Sequence, residues 1–311
     1  MRSILSSLCV TATLAAGTIF ATLPAPAVAA PPEGSDAAAD STMRSVPDDD
    51  DYSLDYMLRH ARPMIAIQYG LGDVDRDGFG GDLASVGALD LQLGYRVDRR
   101  YGGEDALLHQ STNFAHVGNF ASRLMSDAPG ASEVGTDMWR FGVGFCDGYG
   151  YRIASNRGRL ILQGSGTFGW YTLELEGEAT TGLSPTDAAS IEQFTSHTRF
   201  GESWESAIEV GFGDMVSLHA GYERTAVFPS FKIWYAILST GIDRAALWAL
   251  DMFVDEVEDA SPYAAPVVRF LLESALQYGY YELRTEEVNW PFDTEPPLDY
   301  DMFKLGLTTR F

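Results

Sequence analysis

An uninterrupted alternation of apolar and polar residues over 88–98 constrains the fold of this chain more than any other feature. Its two rows are Leu89, Leu91, Leu93, Tyr95 and Val97, and between them Asp90, Gln92, Gly94, Arg96 and Asp98. Successive side chains of a β-strand point to opposite faces, so the segment predicts a strand with one apolar and one polar face. The run is as long as a tilted strand that crosses the hydrocarbon core of a bilayer.

Eight further segments show strand patterns. They cover residues 64–72, 106–120, 137–149, 159–175, 205–212, 215–224, 275–284 and 302–311. Gly213 and Asp214 lie between two of these segments and predict a tight hairpin turn. Single-chain bacterial barrels have an even number of strands, so the nine candidates cannot all be correct. The count is eight if 106–120 is a loop, and ten if 231–238 is an additional strand.

The apolar rows could face either of two environments. In a soluble β-sandwich or lipocalin-like barrel they would pack inward, whereas in a membrane barrel they would face lipid. The opposite rows contain Gly, Ala, Ser, Gln and charges of both signs, which are small and mixed enough to fill a narrow interior. The sequence therefore predicts an all-β fold, an up-and-down antiparallel transmembrane β-barrel of 8–10 strands with a two-helix insertion.

Residues 228–273 break the strand pattern and predict the helical insertion. Apolar residues recur at helical spacing in 241–259, where Leu247, Leu250 and Val254 share a face, and again in 262–274. Counting strands back from a periplasmic carboxyl end places the insertion on the periplasmic side. Two roles are open there: a cap or plug at the base of the barrel, or a docking face for a periplasmic partner.

The last nine residues repeat the alternation and finish on an aromatic side chain. Phe303, Leu305, Leu307 and Phe311 share one parity, and Lys304, Gly306, Thr308 and Arg310 share the other. This pattern resembles the closing strand of Gram-negative outer-membrane β-barrel proteins, which commonly ends in Phe. The resemblance implies an assembly signal formed by Phe303, Gly306 and Phe311, with the barrel assembly machinery and outer-membrane lipid as partners.

Residues 1–29 predict a secretory signal peptide. Arg2 supplies the positive start, an apolar stretch follows, and Ala27 and Ala29 fit a small-x-small cleavage site. A membrane anchor is the alternative. Residues 30–60 are rich in Ala, Pro, Ser and Asp and predict a flexible acidic lead-in, which leaves 61–311 for the barrel. We expect export to the outer membrane of a Gram-negative bacterium.

The charge balance excludes one class of partner. The chain has 21 Lys and Arg against 44 Asp and Glu, for a formal net charge of −23. Nucleic-acid phosphates are bound by Lys and Arg, so we expect no nucleic-acid partner. Cys146 is the single cysteine after the signal segment, and it is predicted to be a small interior residue rather than a reactive thiol.

Eight charged or titratable side chains fall on rows predicted to face the barrel interior. They are Asp90, Arg96, Arg140, Glu205, Glu209, His219, Lys304 and Arg310. Opposite signs in a narrow barrel should pair, because an unpaired buried charge is strongly destabilising. Eight strands leave room only for side chains. The predicted network is therefore a structural plug, with a water or ion path as the alternative.

The segment 73–82 resembles the start of a calcium-binding loop. Asp73, Asp75 and Asp77 alternate before a glycine, a spacing at which carboxylates converge on Ca²⁺. Ala84 stands at the twelfth position, where a Glu is expected, and Asp82 is the candidate replacement. Ca²⁺ is the one cofactor that the sequence suggests. The alternative is an acidic, solvated hairpin loop.

His109 and Ser111 lie two residues apart and predict side chains on the same side of a strand. An imidazole beside a hydroxyl can activate it for acyl transfer. Some outer-membrane lipid A deacylases carry a similar His-x-Ser pair on a barrel strand. Thr112 stands where that pattern has Asn, and no orienting acid is identifiable, although Glu104 and Asp105 are near in sequence. The alternative is a polar strand edge.

These patterns together predict a non-enzymatic protein with a structural, attachment or small-ligand-interaction role in the cell envelope. A small channel or transport accessory is the first alternative, because a barrel interior can conduct. An envelope lipid hydrolase that uses His109 and Ser111 is the second.

Overall fold

The computed structural model describes residues 61–101, 104–125, 130, 133–153, 158–176, 183–230 and 232–311. The predicted signal peptide and lead-in, residues 1–60, lie outside the described residues. The strands of the described part are β1 (Arg62–Asp75), β2 (Asp82–Leu83), β3 (Val86–Tyr101), β4 (Glu104–Ala121), β5 (Glu133–Ile153), β6 (Gly158–Glu176), β7 (Arg199–Phe212), β8 (Val216–Val227) and β9 (Leu298–Arg310).

Eight of these strands form a ring in which all neighbours are antiparallel. β1 pairs with β3, each later strand pairs with the next as far as β9, and β9 pairs back with β1. The two-residue strand β2 pairs in parallel with the start of β5 and does not belong to the ring. Antiparallel strands in a ring, interrupted by helices, confirm the predicted fold at this level, and the ring of the described residues has eight strands.

The register aligns the apolar rows of neighbouring strands. Leu91 of β3 pairs with Ile67 of β1, and Ile67 pairs in turn with Leu307 of β9. Leu93 is 51% exposed and Leu305 is 69% exposed, whereas their neighbours in the chain on the other row are partly or fully buried. Since side chains alternate with a period of two, one register keeps every apolar row on the outside of the wall.

The two ends of the ring differ in the length of their connections. Where β1 begins and β9 ends, the strands are joined by residues 102–103, 154–157 and 213–215. The predicted hairpin turn lies here, and Gly213 has a positive φ of 62°, which glycine adopts without steric cost. At the opposite end the connections cover residues 76–85, 122–132, 177–198 and 228–297. These are termed the short-turn end and the long-connection end.

Helix α1 (Pro185–Thr195) lies in one of the long connections. The Ser184 side chain accepts a hydrogen bond from the Asp187 N–H at 3.1 Å, and the proline in the first turn suits a helix start. Phe194 of this helix is fully buried in the apolar cluster that fills the long-connection end of the ring.

Helices α2 (Ile233–Ala260) and α3 (Ala265–Arg284) form a hairpin against the outside of the ring. Tyr280 and Tyr281 of α3 pack against Phe200 and Trp204, which belong to the outward row of β7. Among the residues that the structure describes, no helix is both long and apolar enough to cross a membrane.

The hairpin follows the wall along most of its height. Close to its bend, the Tyr151 hydroxyl of β5 donates a hydrogen bond to the Tyr263 carbonyl oxygen at 2.6 Å. At its other end, Arg284 forms an ion pair with Glu202 of β7. Tyr151 lies near the short-turn end and Glu202 near the long-connection end, so these two contacts place the hairpin along the wall.

Two strand predictions are wrong. Residues 275–284 belong to α3, whose buried side chains include Gln277, Tyr280, Tyr281 and Arg284. That spacing puts all four on one face of a helix, and the face packs on the wall. The tentative strand at 231–238 overlaps the start of α2. The alternative that 106–120 is a loop is also wrong, because this segment is β4.

The predicted position of the insertion is wrong for the same reason. Since 275–284 is helical, no strand lies between the insertion and β9, and the insertion leaves the ring at the long-connection end. It extends to residue 297 rather than to 273. It does not cap or plug the base of the ring, because it packs on the outer wall.

Replacing Arg284 by Ala should release the hairpin from the wall. The Arg284 Nε donates to the Val288 carbonyl oxygen at 2.7 Å, and its guanidinium pairs with Glu202 beside the ring of Tyr280. Removing one partner of a buried ion pair costs about 3–5 kcal/mol. Limited proteolysis within 228–297 should therefore accelerate in R284A and not in K232A, an exposed control. Equal protection of R284A and wild type would contradict this docking contact.

Candidate functional site

All eight predicted interior side chains lie inside the ring. Each of these residues is at most 5% exposed: Asp90, Arg96, Arg140, Glu205, Glu209, His219, Lys304 and Arg310. They come from β3, β5, β7, β8 and β9. Charged residues are rarely buried unless they are paired, so the contacts among them decide what the interior can do.

Four charged side chains meet in the central cluster, formed by Asp90, Arg140, Glu223 and Lys304. Arg140 Nε and Nη2 donate to the two Asp90 oxygens at 3.0 and 2.5 Å, and Arg140 Nη1 donates to Glu223 Oε1 at 2.5 Å. Lys304 Nζ donates to Asp90 Oδ2 at 2.5 Å and also to Glu223. Two positive and two negative charges from four different strands are thus joined across the interior.

Burial makes the pairing within the central cluster necessary. Moving a charged side chain out of water costs on the order of several kcal/mol, unless an oppositely charged partner and hydrogen bonds replace the solvent. Here the Thr225 hydroxyl also donates to Glu223 at 2.8 Å, and the Arg140 guanidinium lies 4.4 Å from the centre of the Phe120 ring. The carboxylates are held by side chains of the ring itself, which is the arrangement of a structural centre.

A second group of charges lies toward the short-turn end. Arg96 Nη1 pairs with Glu209 at 2.8 Å, and Arg159 bridges Glu209 and Asp98 at 3.5 Å each. Arg310 also pairs with Asp98. This chain of ion pairs connects β3, β6, β7 and β9, so it braces the ring near its short turns.

His219 lies between these two groups of charges and joins a carboxylate to an amide. Its Nε2 lies 2.5 Å from Glu205 Oε1, and its Nδ1 lies 3.1 Å from Gln163 Nε2. An amide nitrogen only donates, which assigns Nδ1 as the acceptor and Nε2 as the nitrogen that carries the proton toward Glu205. His219 is therefore a member of the interior network, as the sequence predicted for its position.

The sequence-based set omits Glu223, Arg159 and Asp98, which join these ion pairs. Each shares the parity of a residue that faces the interior, Glu223 with His219 and Asp98 with Arg96. The alternation therefore contains the signal for their orientation. It contains no signal for their partners, because partners on distant strands are set by register and ring closure.

Side chains fill the described interior at successive levels. At the long-connection end, Phe120, Met138 and Phe194 belong to a buried apolar cluster. Beside Arg96 and His219 a cavity of about 20 Å³ remains, which is room for about one water molecule. Side chains thus occupy the space that a solute path along the described interior would require.

Cys146 also faces the interior, as predicted for a small interior residue. It is buried in contact with Met64 and Phe114. The reactive-thiol alternative finds no support in this position, because a buried thiol is not accessible to a reagent.

Calcium binding by the segment 73–82 stays a prediction. Among the described residues, no three His, Cys, Asp or Glu side chains are arranged to hold a metal ion. Asp73 instead accepts a hydrogen bond from the Ser85 hydroxyl at 2.6 Å. The same segment at the long-connection end contains Asp75, Asp77 and Asp82. Their carboxylates do not converge on one point with that of Asp73.

This segment is held to α1 by a different carboxylate. Asp187 accepts the Gly80 N–H at 2.9 Å and the Ser184 hydroxyl at 2.7 Å. The hydrogen bond from the Gly80 N–H, followed by that from Ser184, lowers the pKa of Asp187. The contact is thus complete above the ordinary pKa of an aspartate and weakens as the pH falls through the lowered value.

His109 and Ser111 lie on the outward row of β4, outside the charged interior. His109 Nε2 lies 3.5 Å from Asp147 Oδ1, and Asp147 pairs in register with Ser111. Sequence reasoning did not identify this acid. Within the described residues, however, no hydrogen bond joins the Ser111 hydroxyl to His109. The geometry therefore lacks the contact through which an imidazole activates a hydroxyl.

The residues of the predicted assembly signal differ in placement. Phe303 and Phe311 are exposed, Phe311 by 64%. Gly306 pairs with Gln68 and His219, and a Cβ at this position would lie 2.7 Å from Gln68 Cγ. Packing thus requires the glycine. Recognition of this segment by an assembly machinery stays a prediction.

No family model and no curated protein matches this chain. Solved structures of outer-membrane β-barrel proteins are similar to it. Neisserial surface protein A matches with 11% identity and a TM-score of 0.35, over 80% of this chain and 97% of its own. Ail, the attachment invasion locus protein of Yersinia pestis, matches with 10% identity and a TM-score of 0.31, over 81% and 99%.

The outer membrane protein OprG from Pseudomonas aeruginosa matches with 10% identity and a TM-score of 0.27, over 81% of this chain and 97% of its own. TM-scores below 0.5 do not establish a shared function. Conclusions about this chain therefore rest on its own geometry.

Replacing Lys304 by Met should destabilise the ring, because Asp90 and Glu223 would then share Arg140 alone. Loss of one partner from a buried ion pair costs about 3–5 kcal/mol. The double variant D90N/K304M restores the charge balance around Arg140 and should recover part of that loss. The midpoint of urea unfolding, followed by the gel migration of folded and unfolded forms, measures both effects. K232M is the exposed control. A K304M midpoint equal to that of wild type would show that the central cluster is not structural.

Proposed function

We propose that this protein is a non-enzymatic outer-membrane β-barrel with a structural role in the cell envelope, and that it does not conduct solutes. One observation carries the proposal: rows of exposed large apolar side chains run along the outside of the strands, and the charged side chains pair inside the ring. This is the inverse of a soluble barrel, in which the apolar rows would pack against one another in the interior.

The outer surface supports a lipid environment. Exposed large apolar side chains recur along β1, β3, β5 and β9, among them Ile67, Leu93, Phe141 and Leu305. A continuous apolar surface of this extent is unfavourable in water, whereas it matches the lipid-facing band of a membrane barrel. The charged side chains inside are buried, and their ion pairs replace the contacts with solvent.

The connections support an orientation. Outer-membrane barrels have short periplasmic turns and longer extracellular loops. On this basis the short-turn end faces the periplasm, and the long-connection end, with α1 and the start of the hairpin, faces outward. The insertion therefore leaves the ring on the outer side, and the proposal does not include a periplasmic partner at its base. The proposal does include export by a signal peptide at residues 1–29.

The filled interior supports a structural role over a channel. The central cluster, the second group of charges and the apolar cluster around Phe194 occupy successive levels of the ring. Contact with a ligand or surface would accordingly take place at the long-connection end and not within the ring. The unlinked Ser111 and His109 support the non-enzymatic assignment over the lipid hydrolase.

Arg introduced at Leu93, in the middle of β3, should destabilise the barrel. A lipid-facing Arg at the bilayer midplane costs about 2–4 kcal/mol, and one near the interface costs about 0–1 kcal/mol. Ile153, exposed at the short-turn end of β5, provides the matched control, I153R. Unfolding from lipid vesicles measures both. Equal, negligible effects of L93R and I153R would place the apolar rows somewhere other than in lipid.

The purified chain, reconstituted into planar bilayers, should show no discrete conductance steps. Reconstitution is established independently by heat-modifiable gel migration of the same sample, which reports a folded barrel. Conductance by the folded wild-type chain would refute the non-conducting role and favour the channel. Absence of a heat-modifiable form in detergent would refute the barrel itself.

A further inference from the structure

The outward face of α2 carries a continuous apolar stripe that no part of the described chain covers. Its exposed side chains are Trp234, Ile237, Leu238, Ile242, Trp248, Met252 and Phe253. Trp234 is 74% exposed and Trp248 is 65% exposed. At 3.6 residues per turn these positions fall on one side of the helix, so they form a single stripe along it.

The charged side chains within this stretch are engaged away from the stripe. Asp243 accepts a hydrogen bond from Gln277 of α3 at 2.9 Å, and Asp251 accepts one from Arg269 of α3 at 2.5 Å. The Arg244 guanidinium lies 5.6 Å from the centre of the Phe145 ring, on the wall. These charged groups of α2 are thus directed to α3 and to the ring, and the exposed large apolar side chains lie on the opposite face from the buried Val254.

The length of the stripe matches the thickness of a membrane. An α-helix rises about 1.5 Å per residue, so the stripe from Trp234 to Phe253 is about 29 Å long. The hydrocarbon core of a bilayer is about 30 Å thick. Beyond Phe253 the composition changes abruptly, with Asp255, Glu256 and Asp259 in the last turns of the helix.

The stripe is also level with the apolar wall. The hairpin bend at Tyr263 contacts Tyr151 near the short-turn end, and Arg284 contacts Glu202 near the long-connection end. Between these points the Arg269 guanidinium lies 4.6 Å from the centre of the Tyr149 ring. The hairpin therefore covers part of the outer wall and exposes the α2 stripe in its place.

We infer that the α2 stripe contacts the acyl chains of the membrane, so that the hairpin forms a helical part of the lipid-facing wall. The inference rests on the proposed membrane location of the barrel. Acyl chains suit this surface because the stripe lies at the same height as the apolar outer wall of the ring. Its length also equals the thickness of the hydrocarbon core. The wall shields the polar side of α2, which lets this amphipathic helix lie beside the ring without crossing the membrane alone.

The test uses single cysteines labelled with an environment-sensitive fluorophore in the full chain, with Cys9 and Cys146 replaced by Ser. Ile242→Cys reports on the stripe, and Leu238→Cys is a second position on the same face if the first variant fails to fold. Leu93→Cys reports on the uncovered wall of β3, and Glu256→Cys on the acidic tip. Each is reconstituted in vesicles of brominated phosphatidylcholine, and iodide is the aqueous quencher.

Brominated lipid should quench the fluorescence of the label at Ile242→Cys to the same extent as at Leu93→Cys. The label at Glu256→Cys should instead be quenched by iodide. Quenching of Leu93→Cys by brominated lipid, with Ile242→Cys quenched by iodide, would overturn the inference and leave the barrel intact. Protection of Ile242→Cys from both quenchers together with a dimeric mass would also overturn it, since a second copy would cover the stripe. Failure of brominated lipid to quench Leu93→Cys would overturn the membrane barrel itself.

Discussion

The pairing of Asp90 and Glu223 with Arg140 and Lys304 is the interaction on which the rest of the structure depends. These charges come from four strands and are almost completely buried, so each is tolerated only in the presence of the others. A shift of any one strand by a residue would turn its charge outward and leave its partners unpaired. The central cluster therefore selects one register for the ring.

The same alternation that buries the charges creates the outer surface. When Lys304 faces inward, Phe303 and Leu305 must face outward, and the register repeats this choice around the ring. The apolar belt and the charged interior are thus two consequences of one geometric rule. The helical hairpin packs aromatic side chains of α3 on this outer surface and exposes the apolar stripe of α2 in the place of the strands it covers.

The interior rows were predictable residue by residue. All eight predicted charges face inward because period-two alternation settles orientation locally, and Glu223, Arg159 and Asp98 follow the same parity. The failures lie where the pattern is ambiguous. Residues 275–284 fit an alternating row, yet Gln277, Tyr280, Tyr281 and Arg284 form a helical face once a wall is present to bury them. That one error reversed the side on which the insertion leaves the ring. Calcium binding at 73–82 stays a prediction, and its carboxylates do not converge among the described residues because regular spacing in the sequence does not set positions in space.

The sequence by itself determined the strand class, the division of each strand into an apolar and a polar row, and the sign of the charges inside. These depend on neighbours within a few residues, and local geometry is sufficient to specify them. The tertiary structure alone decided the strand count, the partners of each charge and the path of the helical hairpin along the outer wall. Those features join residues far apart in the chain, such as Lys304 with Asp90, and contacts of this kind exist only after the ring has closed.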